Sequence, residues 1–182
     1  MKEARRHPLD PLSAEEVAAA MRIMRTQGPA SDHMRFVSIN LHEPAKTELE
    51  SISTGNILDR RAFIIILDLA PRRVLEAIVS LRDETLLSCE ERRGVQPGII
   101  IEEFILCENA VKADPQWRAA LVRRGITEFD KAIVDPWSAG AYGDERFPDR
   151  RLAQGLTWIR GSEADVGYGR PVEGLITFVD LE

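Results

Sequence analysis

The sequence predicts an α+β fold made of two tandem small domains, each a helix packed on a curled antiparallel sheet. Three observations predict it: a capped helix precedes several strand-like runs, the same order then begins again, and the halves meet at the stretch Val95-Gln96-Pro97-Gly98. A helix across one face of a sheet buries the apolar faces of both elements. We therefore expect a first domain over residues 1–96 and a second over 97–182.

The first half opens with a well-marked helix. Ser13 followed three residues later by Glu16 is a capping-box pattern, and Val17, Met21 and Met24 recur at helical spacing. Gly28 and the proline after it end the helix. Strand-like runs follow at 34–41, 62–69, 74–81 and, more weakly, 85–89, and the polar stretch 43–59 between them is predicted to be a loop.

The second half repeats this order. Apolar residues at Ile100, Phe104, Cys107 and Val111 predict a helix over 99–111, and Pro115 starts a second helix that ends at Gly125. Strands are predicted at 131–134, 152–159 and 175–181, the last of them as a buried strand because it is rich in branched and aromatic residues. A domain that stands alone usually ends in a frayed polar stretch, so we expect this strand to belong to a longer design.

Composition excludes several classes of protein. A hydrophobic share of 44%, a charged share of 30% and a net charge of −6 are typical of a soluble globular protein and argue against a nucleic-acid binder. No run approaches the roughly 20 apolar residues of a membrane span, and Met1–Asp10 does not resemble a signal peptide. Cys89 and Cys107 do not form a disulfide framework, so we expect a cytoplasmic protein.

Histidine and cysteine patterns predict no metal site. No His-x-His, His-Glu-x-x-His or Cys-x-x-Cys occurs, and the histidines are interpreted as surface residues: His7, His33 and His42. The arginine pairs, such as Arg150-Arg151, are interpreted as solvated ends of secondary-structure elements.

Nucleophile and carboxylate candidates are equally sparse. Ser138 lacks the leading glycine of a nucleophile elbow, which leaves a hydrolase using Ser138 as a minor alternative. The adjacent pairs Glu90-Glu91 and Glu102-Glu103 are interpreted as solvated faces. The sequence therefore predicts no catalytic residue.

Two stretches that combine glycine with aromatic residues stand out. Residues 135–143 contain Trp137 and Tyr142, and residues 165–171 contain Tyr168. A tryptophan on a loop usually finds cover. Either Trp137 covers the core of its own domain, or these loops pack on a partner or line a ligand passage.

Several strings together resemble the N-terminal region of copper-containing primary-amine oxidases. The most specific are Asp135-Pro136-Trp137-Ser138-Ala139-Gly140 and Arg170-Pro171-Val172-Glu173-Gly174-Leu175. Supporting strings are Glu102-Glu103-Phe104, Ala113-Asp114-Pro115-Gln116-Trp117 and the opening His7-Pro8-Leu9-Asp10-Pro11-Leu12-Ser13-Ala14-Glu15-Glu16. The likeness covers essentially the whole chain.

The resemblance implies two cystatin-like α+β domains, N2-like over 1–96 and N3-like over 97–182, that precede a catalytic domain. In this family the catalytic domain holds copper on three histidines and a quinone (topaquinone) made from a tyrosine. It converts primary amines to aldehyde, hydrogen peroxide and ammonia, and the family is homodimeric.

The sequence departs from the family at the residues of that chemistry. It has neither the Asn-Tyr-Asp/Glu triplet of the cofactor tyrosine nor the copper His-x-His. No catalytic or metal residue can be carried over, so we expect this chain alone to be inactive and to need a catalytic domain as partner. The resemblance implies a role as amine-channel wall for Phe104, Trp137 and Tyr168. A free-standing binding module built from two α+β domains is the alternative.

Overall fold

The computed structural model describes residues 7–29, 32–52, 59–70, 72–140, 150–162 and 164–181. The chain forms two compact units, Met1–Pro97 and Gly98–Glu182. Each unit contains one antiparallel sheet with helices packed on it, and the predicted α+β class is confirmed.

The first unit contains a four-stranded sheet. Its elements are α1 (Ala14–Gln27), β1 (Met34–His42), α2 (Lys46–Ile52), β2 (Arg61–Asp68), β3 (Arg73–Ser80) and β4 (Thr85–Arg92). The strands lie in the order β1-β2-β3-β4, and each neighbouring pair is antiparallel. Consecutive strands are therefore neighbours throughout the sheet.

The predicted capping box at the start of α1 is present. The Glu16 N–H donates to Ser13 Oγ at 3.2 Å, and the Ser13 N–H donates to Glu16 Oε2 at 2.8 Å. These bonds satisfy backbone donors that a helix start leaves free. The helix then buries Ala20, Ile23 and Met24 against the core residues of the sheet, which are Ala62, Ile64, Ile66, Leu75, Ala77 and Val79.

A short helix occupies part of the stretch that was predicted to be a loop. The Ala45 N–H donates to Glu48 Oε2 at 2.8 Å at the start of α2. An acid in the first helical turn accepts from free N–H groups and favours the helix dipole. The loop prediction is therefore wrong over Lys46–Ile52. Gly55 and Asn56, also in that predicted loop, lie outside the described residues.

The second unit contains two helices on a three-stranded sheet. Its elements are α3 (Ile101–Ala113), α4 (Pro115–Val122), a 3-10 turn (Phe129–Lys131), β5 (Ala132–Ser138), β6 (Leu152–Ile159) and β7 (Pro171–Asp180). The strands lie in the order β5-β6-β7, and both pairs are antiparallel. The central strand is therefore β6.

Both helices contribute to one core. The buried residues are Cys107 and Val111 from α3, Trp117 and Leu121 from α4, and Ala132, Val134, Ala153 and Val172 from the sheet. At the start of α4, Asp114 Oδ1 accepts from the N–H groups of Gln116 at 2.6 Å and Trp117 at 3.0 Å. The indole Nε1 of Trp117 donates to Thr157 Oγ1 at 3.0 Å, so this buried ring is hydrogen-bonded.

Strand β5 is longer than predicted. It continues through Asp135, Pro136 and Trp137, which were predicted to belong to a loop. A proline lacks an N–H to donate, but it is tolerated on an edge strand such as β5. Tyr142 of the same predicted loop lies outside the described residues.

Strand β7 is half exposed and not buried as predicted. Ile176 is 56% exposed and Phe178 is 47% exposed, whereas the alternate residues Leu175 and Val179 pack on the core. The strand also begins earlier, at Pro171, with a register shift near Gly174, whose φ is +65°. Glycine reaches this left-handed conformation without a steric penalty.

A buried ion pair joins α3 to the start of β6. Arg151 Nε lies 2.6 Å from Glu103 Oε1, and Arg151 Nη2 lies 2.7 Å from Glu103 Oε2. Glu103 is 5% exposed and Arg151 is 6% exposed. The interpretation of Glu102-Glu103 and Arg150-Arg151 as solvated pairs is therefore wrong for Glu103 and Arg151.

Candidate functional site

The sheet of the second unit has one face covered by α3 and α4 and one face turned away from them, which we call the open face. Side chains alternate between the two faces along each strand, and directly paired residues share a face. The pairing therefore defines rows across the open face: Trp137, Gln154 and Phe178; Asp135, Leu156 and Ile176; and Ile133 with Trp158.

The open face is apolar and accessible to solvent. Trp137 is 60% exposed, Ile176 is 56% exposed and Phe178 is 47% exposed. Leu156, Trp158 and Ile133 on the same face are half-buried. Three large apolar side chains are therefore exposed on one face of one sheet.

Trp137 lies near the end of β5 with its ring held by a neighbour. Its Nε1 donates to Asp135 Oδ2 at 2.7 Å. Asp135 is two residues earlier on the same strand, so both side chains lie on the open face. Trp137 therefore does not cover the core of its own unit, which was one of the two alternatives.

Tyr168 lies on the loop between β6 and β7 and packs on the same sheet. Its ring meets the Trp158 ring edge to face, with centroids 5.5 Å apart and planes at 78°. A Cβ on the adjacent Gly167 would lie 2.5 Å from Ile133 Cδ1, so this loop approaches the sheet closely. Among the residues that the structure describes, the buried Nε1 of Trp158 has no acceptor.

The loop that carries Tyr168 is stabilised by Asp165. The Ser162 hydroxyl and the Ser162 N–H donate to the carboxylate of Asp165 at 3.0 and 2.9 Å. These bonds favour the ionised form and hold the pKa of Asp165 below its usual value. Because the folded-state pKa is lowered, this contribution is present at neutral pH and is lost as the pH falls through that pKa.

Phe104 lies in a different layer from the other two candidates. It is on α3, next to Glu103, and is 36% exposed. Its neighbours on the outer surface of the helix are also apolar: Ile101 at 76%, Ile105 at 58% and Leu106 at 64% exposure. The exposed surface of α3 therefore combines these apolar side chains with the polar Glu102 and Asn109.

The structure brings the three predicted channel residues together only in part. Trp137 is paired with Gln154 of β6, whereas the Tyr168 ring meets Trp158 of the same strand edge to face. Gln154 and Trp158 are four residues apart along β6, which corresponds to roughly 13 Å. Through the ion pair of Glu103 with Arg151, the start of α3 lies beside the start of β6, the end of the sheet at which β5 finishes. Phe104 and Trp137 are thus near the same end of the sheet but belong to different layers.

The described residues contain no group of three His, Cys, Asp or Glu side chains that could hold a metal ion. Ser138 is exposed at the end of β5, and the three histidines belong to the other unit. Burial raises the pKa of the thiols of Cys89 and Cys107, which keeps them protonated and weakly reactive at neutral pH. None of the described helices is long and apolar enough to cross a membrane.

Sequence reasoning missed Asp135, Ile176 and Phe178 as residues of this surface. The signal for Asp135 was its spacing of two from Trp137, which places both on one face of a strand once the segment is known to be extended. The strand of Ile176 and Phe178 is apolar on both sides and was interpreted as continuously buried, so its pattern carried no signal for which side is exposed.

The fold defines a pair of small α+β domains, and the open face of the second exposes large apolar side chains. Two family descriptions match the chain: the AGAO-like N2 domain over residues 13–89 and the N3 domain of copper amine oxidase over residues 102–182. The chain therefore belongs to the copper amine oxidase family, through its N2 and N3 domains.

Similar proteins are amine oxidases with much longer chains. A primary amine oxidase of Arthrobacter sp. (strain P1) is 38% identical over 176 residues, which are 96% of this chain and 26% of that protein. A histamine oxidase of Arthrobacter globiformis is 36% identical over 98% of this chain and 26% of its own length. The crystal structure of a copper-containing benzylamine oxidase from Hansenula polymorpha superposes with a TM-score of 0.69 at 20% identity, covering 92% of this chain and 27% of that one.

The chain thus spans about a quarter of the length of the relatives it matches. The matched quarter consists of N-terminal domains, as the resemblance implied. The family uses copper and a quinone, and both belong to the catalytic domain, which the matched region does not include.

Proposed function

We propose that this chain forms the non-catalytic N-terminal part of a primary-amine oxidase and that its open face packs against the catalytic domain of that enzyme. The observation that carries the proposal is the exposure of Trp137, Ile176 and Phe178, between 47% and 60%, on one face of one sheet. We propose that this face is covered by the rest of the oxidase, which corresponds to the roughly three quarters of the relative's length that this chain does not match. Covering such a face removes apolar area from water, which favours association.

In this proposal Phe104, Trp137 and Tyr168 form walls of the passage by which the amine reaches the catalytic domain. Ligand passages are lined mainly by apolar and aromatic side chains with a few polar groups. Trp137 has the strongest support because its exposed ring lies near the end of a strand, with a hydrogen bond that holds its orientation. Phe104 approaches the same end of the sheet from the helical layer.

In this proposal the catalytic domain performs the chemistry, because this chain lacks the residues that would hold copper or form the quinone. The family's copper and topaquinone supply the redox chemistry that turns a primary amine into aldehyde, hydrogen peroxide and ammonia. The residues of this chain shape the approach to that centre and keep bulk water from it. A second subunit is the other proposed partner, as the family resemblance implies, and the proposed location is the reducing cytoplasm, supported by the unpaired Cys89 and Cys107.

The first arm of the test uses the purified 182-residue chain with Cu²⁺ and a primary amine such as methylamine or benzylamine. We expect no quinone absorbance and no hydrogen peroxide. A full-length amine oxidase, assayed in parallel, is the positive control. Peroxide formed by the chain itself would overturn the proposal and would indicate that the chain is an enzyme on its own.

The second arm uses a chimera in which this chain replaces the matching 176 residues of the Arthrobacter sp. oxidase. Trp137→Ala should change KM for bulky amines relative to methylamine by roughly three- to tenfold, because truncating a large aromatic wall removes about 1 kcal/mol of contact. Leu87→Ala, at an exposed position of the first unit, is the matched control. The same KM ratio in Trp137→Ala and the parent chimera would count against the channel role.

A further inference from the structure

We infer that Asp135 is the positioning residue for Trp137: its carboxylate holds the indole in one orientation on the open face. The inference about orientation stands on the geometry of this chain, and its consequence for amine discrimination rests on the proposed function. Three features of β5 support it.

The first feature is the hydrogen bond itself. Trp137 Nε1 lies 2.7 Å from Asp135 Oδ2, which is short for an N–H donor. A bond to an ionised acceptor is shorter and roughly twice as strong as one between neutral groups. An indole has a single N–H donor, so this bond uses the whole hydrogen-bonding capacity of the ring.

The second feature is the rigidity of the backbone between the two residues. Pro136 separates them, and its ring restricts φ to a narrow range. Pro136 is buried on the helix-covered face and pairs with Gly155 of β6. Asp135 and Trp137 are therefore held at a set separation on the same side of the strand, and only the side-chain torsions remain to be restrained.

The third feature is how little else restrains the ring. At 60% exposure, more than half of the surface of Trp137 faces solvent and not neighbouring side chains. Its cross-strand partner in the row is Gln154, which is flexible and polar. The hydrogen bond to the Asp135 carboxylate is thus a directional restraint on the orientation of a largely exposed indole.

Covering the open face would increase the contribution of the hydrogen bond between Asp135 and Trp137. Asp135 shares its row with Leu156 and Ile176, so a partner on this face would surround the carboxylate with apolar groups. A buried charge without a hydrogen bond is costly, and the Trp137 N–H supplies one. Phenylalanine at position 137 would keep an aromatic wall but would leave this carboxylate without its donor.

The experiment uses the ¹⁵N-labelled 182-residue chain. Its three tryptophans give three indole N–H signals in a ¹H–¹⁵N correlation spectrum, and Trp137→Phe identifies one of them. Asp135→Leu removes the acceptor at similar bulk, and Asp135→Asn retains an acceptor oxygen. The signal of Trp117, whose indole is bonded to Thr157 in the core, reports that the second unit is folded.

We expect the Trp137 indole N–H to exchange with solvent roughly two- to tenfold faster in Asp135→Leu, the range that one hydrogen bond represents. Its signal should move upfield, and Asp135→Asn should restore part of both changes. The Trp117 signal should stay in place. An unchanged exchange rate and shift for Trp137 in Asp135→Leu would overturn the inference.

The chimeric oxidase separates this inference from the proposed function. Asp135→Leu should alter the KM ratio of bulky to small amines in the same direction as Trp137→Ala and by a smaller factor. If Trp137→Ala alters the ratio and Asp135→Leu does not, the positioning role is overturned and the channel role stands. If neither alters it while the indole signal responds to Asp135→Leu, the channel role is overturned and the positioning role stands.

Discussion

At the scale of single residues, Glu103 and Arg151 form a buried ion pair in the second unit. Besides its two bonds to Arg151, Glu103 accepts the Ile100 N–H at 2.9 Å, and Arg151 Nη2 donates to the Gly98 carbonyl at 3.0 Å. The same carboxylate therefore completes the start of α3 and neutralises a buried guanidinium. Removing one partner leaves the other as a buried, unpaired charge.

We expect Arg151→Met to lower the free energy of unfolding by about 3 kcal/mol or more, as measured by urea denaturation. The double variant Glu103→Gln with Arg151→Met should recover part of this loss, because no uncompensated charge then remains. Lys131→Met, which breaks the exposed pair of Lys131 with Glu128, is the control and should cost less than about 1 kcal/mol. A loss in Arg151→Met as small as in the control would contradict a structural role for the pair.

At the scale of secondary-structure elements, a single hydrogen bond connects α4 to the central strand. Trp117 is 2% exposed and Thr157 is 3% exposed, so both partners are withdrawn from water. Trp158, next along β6, lies on the opposite face, and its N–H has no acceptor among the described residues. Among the described residues, the indole N–H of Trp117 therefore makes a hydrogen bond and that of Trp158 does not.

Replacing Trp117 by phenylalanine should therefore cost more than the same change at Trp158. The loss of the bond to Thr157 adds about 1 kcal/mol, and the lost ring volume in the core adds to this. A double-mutant cycle with Thr157→Val, read by thermal and urea unfolding, isolates the coupling between the two side chains. A coupling energy near zero would mean that the bond does not connect helix and sheet.

At the scale of the whole molecule, the second unit exposes large apolar side chains on two of its surfaces. Both the open face and the outer side of α3 carry large side chains that are about half exposed or more. The first unit closes its core between α1 and its own sheet. The uncovered surface of the second unit predicts self-association of the isolated chain at high concentration.

We expect Ile176→Lys with Phe178→Lys to lower the apparent mass of the concentrated chain in sedimentation velocity and to reduce the binding of an apolar dye. Unfolding free energy should change by less than about 1 kcal/mol, because exposed positions contribute little to the core. Leu87→Lys, a comparably exposed position of the first unit, should leave the association unchanged. Equal effects of both changes would argue against a specific docking face.

The sequence by itself determined the elements whose signals are local. The capping box at Ser13 and Glu16 and the proline that starts α4 each depend on residues within a few positions, so they predicted α1 and α4. The family strings were also local, and they carried the assignment to copper amine oxidases. The missed helix α2 begins at a cap made by Glu48, without the serine or threonine that usually marks a start.

Only the tertiary structure decided which side chains face a partner. Glu103 and Arg151 are 48 residues apart, so nothing local in the sequence identifies them as a buried pair. Strand β7 has apolar residues on both sides, and its pairing with β6 is what assigns Leu175 and Val179 to the core and Ile176 and Phe178 to the open face. Burial depends on contacts between distant segments, and a strand pattern that is apolar on both faces contains no information about which face is covered.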